Sequence, residues 1–209
     1  MNHNVYAVHL PGREAGDVQE LEMNSTIVAR LVDEIKETIT GDIILYGHCV
    51  GSALTIATAN QLKQDNIAVK GVFLGGILPP GNVKLLGKDY DPWKMVSDGI
   101  IMKYLGLIGL PKIKIQQEYL DIMVKSFRHD ARNYYRFFYD CELYQYDKLD
   151  IPIHCIVGEK DPITRNYGRR HRQWSRYGRG VTLSVIKNAK HYFIRTDAEE
   201  LAKILTRPD

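Results

Sequence analysis

Five residues, Gly47-His48-Cys49-Val50-Gly51, separate the apolar run Ile43-Ile44-Leu45-Tyr46 from the helix-forming stretch Ser52-Ala53-Leu54-Thr55-Ile56-Ala57. This is the strand–turn–helix layout of a nucleophile elbow, with cysteine where serine commonly stands. So sharp a turn forces its central residue into a strained backbone conformation, and the glycines two positions before and after are expected to leave room for the neighbouring backbone. The central side chain is lifted clear of the sheet at the N-terminus of the following helix, where the dipole and free N–H groups favour negative charge. A thiolate, or the oxyanion of an acyl-transfer intermediate, is stabilised there. The motif predicts nucleophilic catalysis by Cys49. The plainer reading is a small-residue turn carrying a packing cysteine, so the rest of the chain has to decide.

Strand and helix patterns alternate along the sequence. Residues 5–10 read as a strand stopped by Pro11-Gly12, and residues 26–40 as a helix with Asn24 or Ser25 as N-cap and Gly41 just past its end. The elbow strand and a helix over 51–64 follow, then strands over 69–74, 151–157 and 181–186, a helix near 164–176 and a terminal helix near 197–206. This order implies a mostly parallel, doubly wound sheet covered on both faces. About seventy residues after Pro79-Pro80-Gly81 lack a convincing strand. Such an insertion reads as a helical lid, about residues 80–148, over the strand ends where open α/β sheets place their ligands. Additional core helices are the plainer alternative.

The 209 residues suffice for one domain with a substantial core and are few for two, so residues 1–209 are read as a single domain. No run of about 18 apolar residues predicts a membrane span, and the start Met-Asn-His-Asn-Val-Tyr lacks the regions of a signal peptide. Cys49, Cys141 and Cys155 are spaced for neither a disulfide framework nor a zinc site. The expected setting is the reducing cytoplasm. A net charge of +3 does not argue for nucleic acid. Arg165, Arg169, Arg170, Arg172, Arg176 and Arg179 form a local cluster read as a solvated helix face or a docking patch for an acidic partner. Trp174 and Tyr177 among them leave base stacking open on composition alone.

A cysteine nucleophile needs a base, and the base needs a partner that fixes its tautomer. In a doubly wound hydrolase the order is nucleophile, acid, histidine, the last two on loops beyond later strands. The strand Ile153-His154-Cys155-Ile156-Val157 runs into Gly158-Glu159-Lys160-Asp161-Pro162, placing Asp161 beyond a strand end. The last strand is followed by Lys187-Asn188-Ala189-Lys190-His191, which puts His191 on the next loop. A Cys49–His191–Asp161 triad is the expectation, although Asp161 could instead cap the helix that starts near Thr164. His48 should point away from the nucleophile, His154 should be buried in its strand, and His129 and His171 fall in the insertion and the arginine-rich segment. Glu159 is the second choice of acid. Gly75-Gly76-Ile77 stands beyond the strand Val72-Phe73-Leu74, where some related enzymes carry theirs.

These segments together resemble the thioesterases of nonribosomal peptide and polyketide synthesis, nearest to the type II, editing kind. Leu10-Pro11-Gly12-Arg13-Glu14 is similar to that family's Pro-Gly-Arg-Glu segment, and Gly47-His48-Cys49-Val50-Gly51 to its Gly-His-Ser-Met-Gly elbow. Ser126-Phe127-Arg128-His129-Asp130 resembles its Leu-Arg-Ala-Asp lid element. Gly158-Glu159-Lys160-Asp161-Pro162 and Lys190-His191-Tyr192-Phe193 resemble its acid and histidine loops. The resemblance implies an α/β-hydrolase fold and acyl transfer from the phosphopantetheine thioester of an acyl or peptidyl carrier protein. It implies no cofactor or metal, and neither a nucleic-acid nor a membrane partner. His191 would deprotonate Cys49, and the Val50 N–H would supply one oxyanion donor.

Two departures from the pattern matter. Cysteine replaces serine, and cysteine variants of the family occur in chain-releasing domains as well as editing enzymes. The family also carries a strand, an oxyanion loop and a helix ahead of the segment matching residues 5–10, and the sequence reads as lacking that unit and its oxyanion donor. A non-catalytic remnant that binds carrier protein is therefore the competing expectation, with an ordinary esterase or lipase third.

Overall fold

The computed structural model describes residues 3–14, 20–110, 116–144 and 147–206. Parts of the expected lid (111–115 and 145–146) and the first two residues of the expected leaderless start lie outside these. Helix α1 (Asn24–Thr38) precedes strand β1 (Ile43–His48), and α2 (Gly51–Gln64) crosses to β2 (Val69–Gly75). A helical stretch follows, with α3 (Asp98–Ile108) and the long α4 (Gln117–Tyr144), and contains no strand among the described residues. Strand β3 (Ile153–Gly158) leads through α5 (Tyr167–Arg170) and a 3₁₀ turn (His171–Arg176) to β4 (Val181–Ile186), then α6 (Phe193–Thr196) and α7 (Ala198–Leu205).

The four strands form one parallel sheet in the order β1-β2-β3-β4. Side chains alternate across a strand, so each strand serves two cores. Val72, Leu74, Ile153, Cys155 and Val157 pack on one face against Ala53, Ile56 and Ala59 of α2 and Tyr134 and Phe138 of α4. Phe73, Ile156 and Ile186 pack on the other face against Phe193, Leu201 and Ile204. Helix α1 lies over α2, with Val28 and Val32 against Leu62. This double burial is why the strands read as near-continuous apolar runs.

Three local expectations need correction. Residues 5–10 are not a strand: no ladder engages them among the described residues, and Val5 is 91% exposed. Alternation gives a segment the capacity to pair, but a strand exists only where a neighbour supplies backbone partners. Neither Asn24 nor Ser25 caps α1. The residue before the helix is Met23, and the Asn24 amide instead reaches the Asn133 carbonyl on α4 (3.4 Å). The segment near 164–176 is not one helix either. Asn166 adopts a left-handed conformation (φ 67°), which delays the start to Tyr167, and the chain tightens to 3₁₀ geometry from His171.

The arginine-rich segment is tied down at three points. Arg170 donates to the Pro79 carbonyl (3.1 Å), Arg176 to the Pro80 carbonyl and to Glu142 (both 2.7 Å), and Arg179 lies 3.7 Å from Asp150. Arg165, Arg169 and Arg172 are exposed. Trp174 and Tyr177 are buried in the core, so neither ring offers a stacking platform for bases.

Helix α4 is held to the body by consecutive side chains. Arg128 donates to the carbonyls of Trp93 and Val96 and to Asp98, His129 donates to the Glu22 carbonyl (2.7 Å), and Asp130 pairs with Arg13. Lower down, Phe138 is fully buried among Tyr134, Trp174 and Tyr177. Replacing Phe138 by Ala should cost about 3–5 kcal/mol, the usual range for a large buried aromatic. The same change at exposed Val5 should cost under about 0.5 kcal/mol. Urea unfolding midpoints of the two variants check both values.

Candidate active site

Cys49 follows the last residue of β1 and sits at φ 52°, a left-handed conformation that is costly for a residue with a side chain. The turn is held by hydrogen bonds from Cys49 N–H to the Gly75 carbonyl (2.7 Å), Ser52 N–H to Cys49 (3.0 Å) and Ala53 N–H to Val50 (3.2 Å). Gly47 is required by space, since a Cβ there would come within 2.7 Å of the Gly51 carbonyl oxygen. Gly51 is not: a Cβ at that position meets nothing within 4 Å, so only the first glycine makes room for backbone. Val50 is the N-cap of α2, and none of the backbone hydrogen bonds of the turn engages its N–H.

Two loops from the far side of the sheet complete the cluster. After β3, the Glu159 N–H bonds to the Ile186 carbonyl (3.0 Å) and the Lys160 N–H to the Ala189 carbonyl (2.8 Å). The Glu159 carboxylate accepts from the Asn188 N–H (2.8 Å). Glu159 therefore fastens the loop that bears His191 and is not its acid partner. Gly158 permits this approach, because a Cβ there would lie 2.6 Å from the Ala189 and Lys190 carbonyl oxygens.

Asp161 Oδ2 then accepts from His191 Nδ1–H at 2.9 Å, with both side chains almost fully buried. Its other oxygen accepts from the Ile163 N–H (2.9 Å). Orienting the histidine and capping the following turn thus fall to the same carboxylate. The Cys49 thiol lies on the elbow side of the His191 ring, near enough to influence its protonation.

Burial alone would lower the affinity of His191 for its proton. The hydrogen bond with Asp161 and the nearby Cys49 thiol, with the charges of both, outweigh it and raise the group to about 9. Tyr104 of α3, Tyr134 of α4 and Tyr192 stand around the thiol. Burial first, and then the charge of Cys49 (for Tyr134, of Tyr135 and then Cys49), pushes all three phenols up, so they remain O–H groups.

Cys49, His191 and Asp161 thus converge, from an elbow and two loops at the same end of the sheet. His154 is half-buried on the outer face, stacked on Phe73 (4.5 Å) and bonded to Thr182 (2.7 Å). His171 donates to the Tyr167 carbonyl (2.7 Å), and His129 anchors α4. His48 does point away from the thiol, but its ring lies against His191, with centroids 5.0 Å apart. Among the described residues, no group of three or more His, Cys, Asp or Glu side chains is arranged to hold a metal ion, and no helix is long and apolar enough to cross a membrane. Gly158 and His48 are the neighbours that sequence reasoning missed. The usable signal for His48 was the Gly75-Gly76 pair, which leaves space that some ring must fill.

Three solved structures illustrate the fold-level likeness. A type II thioesterase of the yersiniabactin pathway, YbtT, matches with a TM-score of 0.74 at 20% identity, over 96% of this chain and 79% of its own. The thioesterase RedJ of the prodiginine pathway of Streptomyces coelicolor matches at 0.69 and 22%, over 95% and 77%. ClbQ of the colibactin pathway matches at 0.68 and 19%, over 93% and 80%. No curated protein matches the chain. The model of the thioesterase domain, however, matches residues 1–207, and the chain belongs to that family.

Proposed function

We propose that this thioesterase removes or transfers acyl, aminoacyl or peptidyl groups held as phosphopantetheine thioesters on a carrier protein, in nonribosomal peptide or polyketide biosynthesis. The observation that carries the reading is the line from Asp161 through His191 to a thiol on a strained elbow, in a family of thioester hydrolases. The pathway comes from the neighbours' own descriptions, which place them in combined peptide and polyketide synthesis, and the carrier from the resemblance of the motifs.

In this reading His191 takes the proton of Cys49, and the sulfur attacks the thioester carbonyl. The tetrahedral oxyanion gathers at the Val50 N–H, at the positive end of α2. Collapse expels the carrier thiolate, which takes the proton from His191 and leaves a Cys49 acyl thioester. Water, or an amine or hydroxyl of the substrate, then attacks with His191 as base, and Cys49 departs as the thiol. Asp161 holds the imidazole in the Nδ1–H tautomer and stabilises its protonated form. The helices between β2 and β3 act as the lid, presenting Tyr104 and Tyr134 to the acyl group. A reducing cytoplasm suits a free thiol of this kind.

Incubation with an acyl-pantetheine thioester should add one acyl mass to the protein, and the Cys49→Ala variant should show none. Absence of both adduct and turnover in the parent would sink the catalytic reading and leave a carrier-binding module. Asp161→Asn should lower kcat by about 10⁴ if the aspartate sets the tautomer as in other triads, measured by release of the free thiol.

The titration of His191 supplies a third check. Cys49→Ala removes two of the effects that raise it and leaves burial, which lowers it, opposed by Asp161 alone. The midpoint should therefore fall below the parent's value of about 9. NMR of the imidazole measures it, and an unchanged midpoint would contradict the coupling of thiol and ring.

A further inference from the structure

We infer that Tyr46 and His48 are positioning residues for His191: a hydrogen-bonded pair of rings that backs the imidazole and holds it between Asp161 and Cys49. The inference rests on the reading of those three as the catalytic groups. Tyr46 and His48 are two apart on β1, so both side chains leave the same face of the sheet. The Tyr46 hydroxyl lies 2.8 Å from His48 Nδ1. Burial pushes the phenol up, so it keeps its proton and donates, which leaves the His48 proton on Nε2.

The His48 ring is in edge contact with Phe193 (4.9 Å) and lies 5.0 Å from the His191 ring at 60°. Tyr192 stands on His191 from another side (5.3 Å). With Asp161 on Nδ1, the imidazole is enclosed by rings and hydrogen bonds.

The space for this pair is made by the two residues after Leu74. Gly75 is the cross-strand neighbour of His48, and a Cβ on it would collide with the Tyr46 ring. Gly76, at φ +67°, would place a Cβ 2.9 Å from His48 Cε1 and Nε2 and 3.1 Å from His191 Cε1. These glycines occupy the strand end where some hydrolases hold an acid. Here the position is emptied of side chains, and the two rings fill it.

His48 is half-buried, and among the described residues its solvent-shielded Nε2 makes no hydrogen bond of good geometry. The titratable groups facing it are Tyr46, His191 and Asp161, and those facing His191 are Asp161, Cys49, Tyr192 and His48 itself. Burial, and then the charge of His191, lower His48 to about 4. It therefore stays neutral while His191 is charged, and the contact brings no second positive charge to the site. The pair neither touches substrate nor moves its proton. It acts by keeping His191 from tilting.

The experiment compares Tyr46→Phe, His48→Ala and His48→Phe with the parent, using acyl-pantetheine turnover and the downfield imidazole N–H resonance of His191 bonded to Asp161. In His48→Ala the ring loses its backing and water enters. The resonance should broaden or vanish, and kcat should fall by roughly 10²-fold, the scale of a small misplacement of reacting groups, with KM little changed. His48→Phe restores the ring and should recover most of both signals. Tyr46→Phe removes the donor alone and should give a smaller change in the same direction.

A purely structural role would lower the melting temperature and leave the resonance and kcat of the folded protein unchanged. Folded variants with the parent's resonance and kcat overturn the inference. If His48→Ala does not fold, Tyr46→Phe and His48→Phe decide by the same two readings. A parent with no turnover, whose resonance still responds to these variants, refutes the proposed activity and not the positioning.

Discussion

The close approach of two loops at the ends of β3 and β4 is the contact on which the rest of the site depends. Asp161 and His191 are far apart in sequence, and their hydrogen bond is almost wholly shut off from water. A buried carboxylate is tolerated only where its lone pairs are satisfied. Here one oxygen holds His191 and the other the Ile163 N–H. Neither bond would form unless the backbones met. Three hydrogen bonds and the missing side chain of Gly158 bring them together. Parallel neighbouring strands supply the frame, since adjacent parallel strands end side by side and their loops leave at the same edge of the sheet.

The same economy governs the attachment of α4. Arg128, His129 and Asp130 are consecutive, so on a helix they fan over about 200° and cannot share one partner. Each instead binds a different segment: the stretch 93–98, the Glu22 carbonyl and Arg13. This gives a physical reason for two motifs that resemblance alone leaves unexplained. The Pro-Gly-Arg-Glu segment and the Arg-His-Asp element meet across the fold, and Gly12 at φ 73° turns the chain ahead of Arg13. Helix α4 also delivers Tyr134 to the neighbourhood of Cys49. Its anchorage and the shape of the site are consequently linked.

What could be read from the residues follows from how far each signal reaches. The central strands were legible because a parallel strand buried on both faces is largely apolar, as in Ile153-His154-Cys155-Ile156-Val157, and the edge strand Val181-Thr182-Leu183-Ser184-Val185-Ile186 because it alternates. The places of Cys49, Asp161 and His191 were legible because each stands at a strand-to-loop junction, which is a local feature. Residues 5–10 misled because alternation reports a capacity to pair and not the presence of a neighbour. The contact of His48 with His191 was invisible for the complementary reason. Its own side-chain direction was read correctly, away from the thiol, but the loop that returns to meet it lies at the other end of the chain. Gly158 was silent too, because a glycine does not reveal what approaches it.

Gly75 and Gly76 bear on both Cys49 and His191. The Gly75 carbonyl accepts from Cys49 N–H, which holds the elbow in a conformation that a β-carbon resists. The absent side chain of Gly75 admits the Tyr46 ring, and that of Gly76 admits His48 and His191. One dipeptide therefore bears on Cys49 through its backbone and on His191 through its lack of side chains. A carboxylate at this strand end, as in some hydrolases, would bring charge into the space of the two rings and would need new partners for its lone pairs. With Asp161 beyond β3, the end of β2 is free for packing. The cost is that Asp161 must reach His191 across two loops, which is what the Gly158 contact secures.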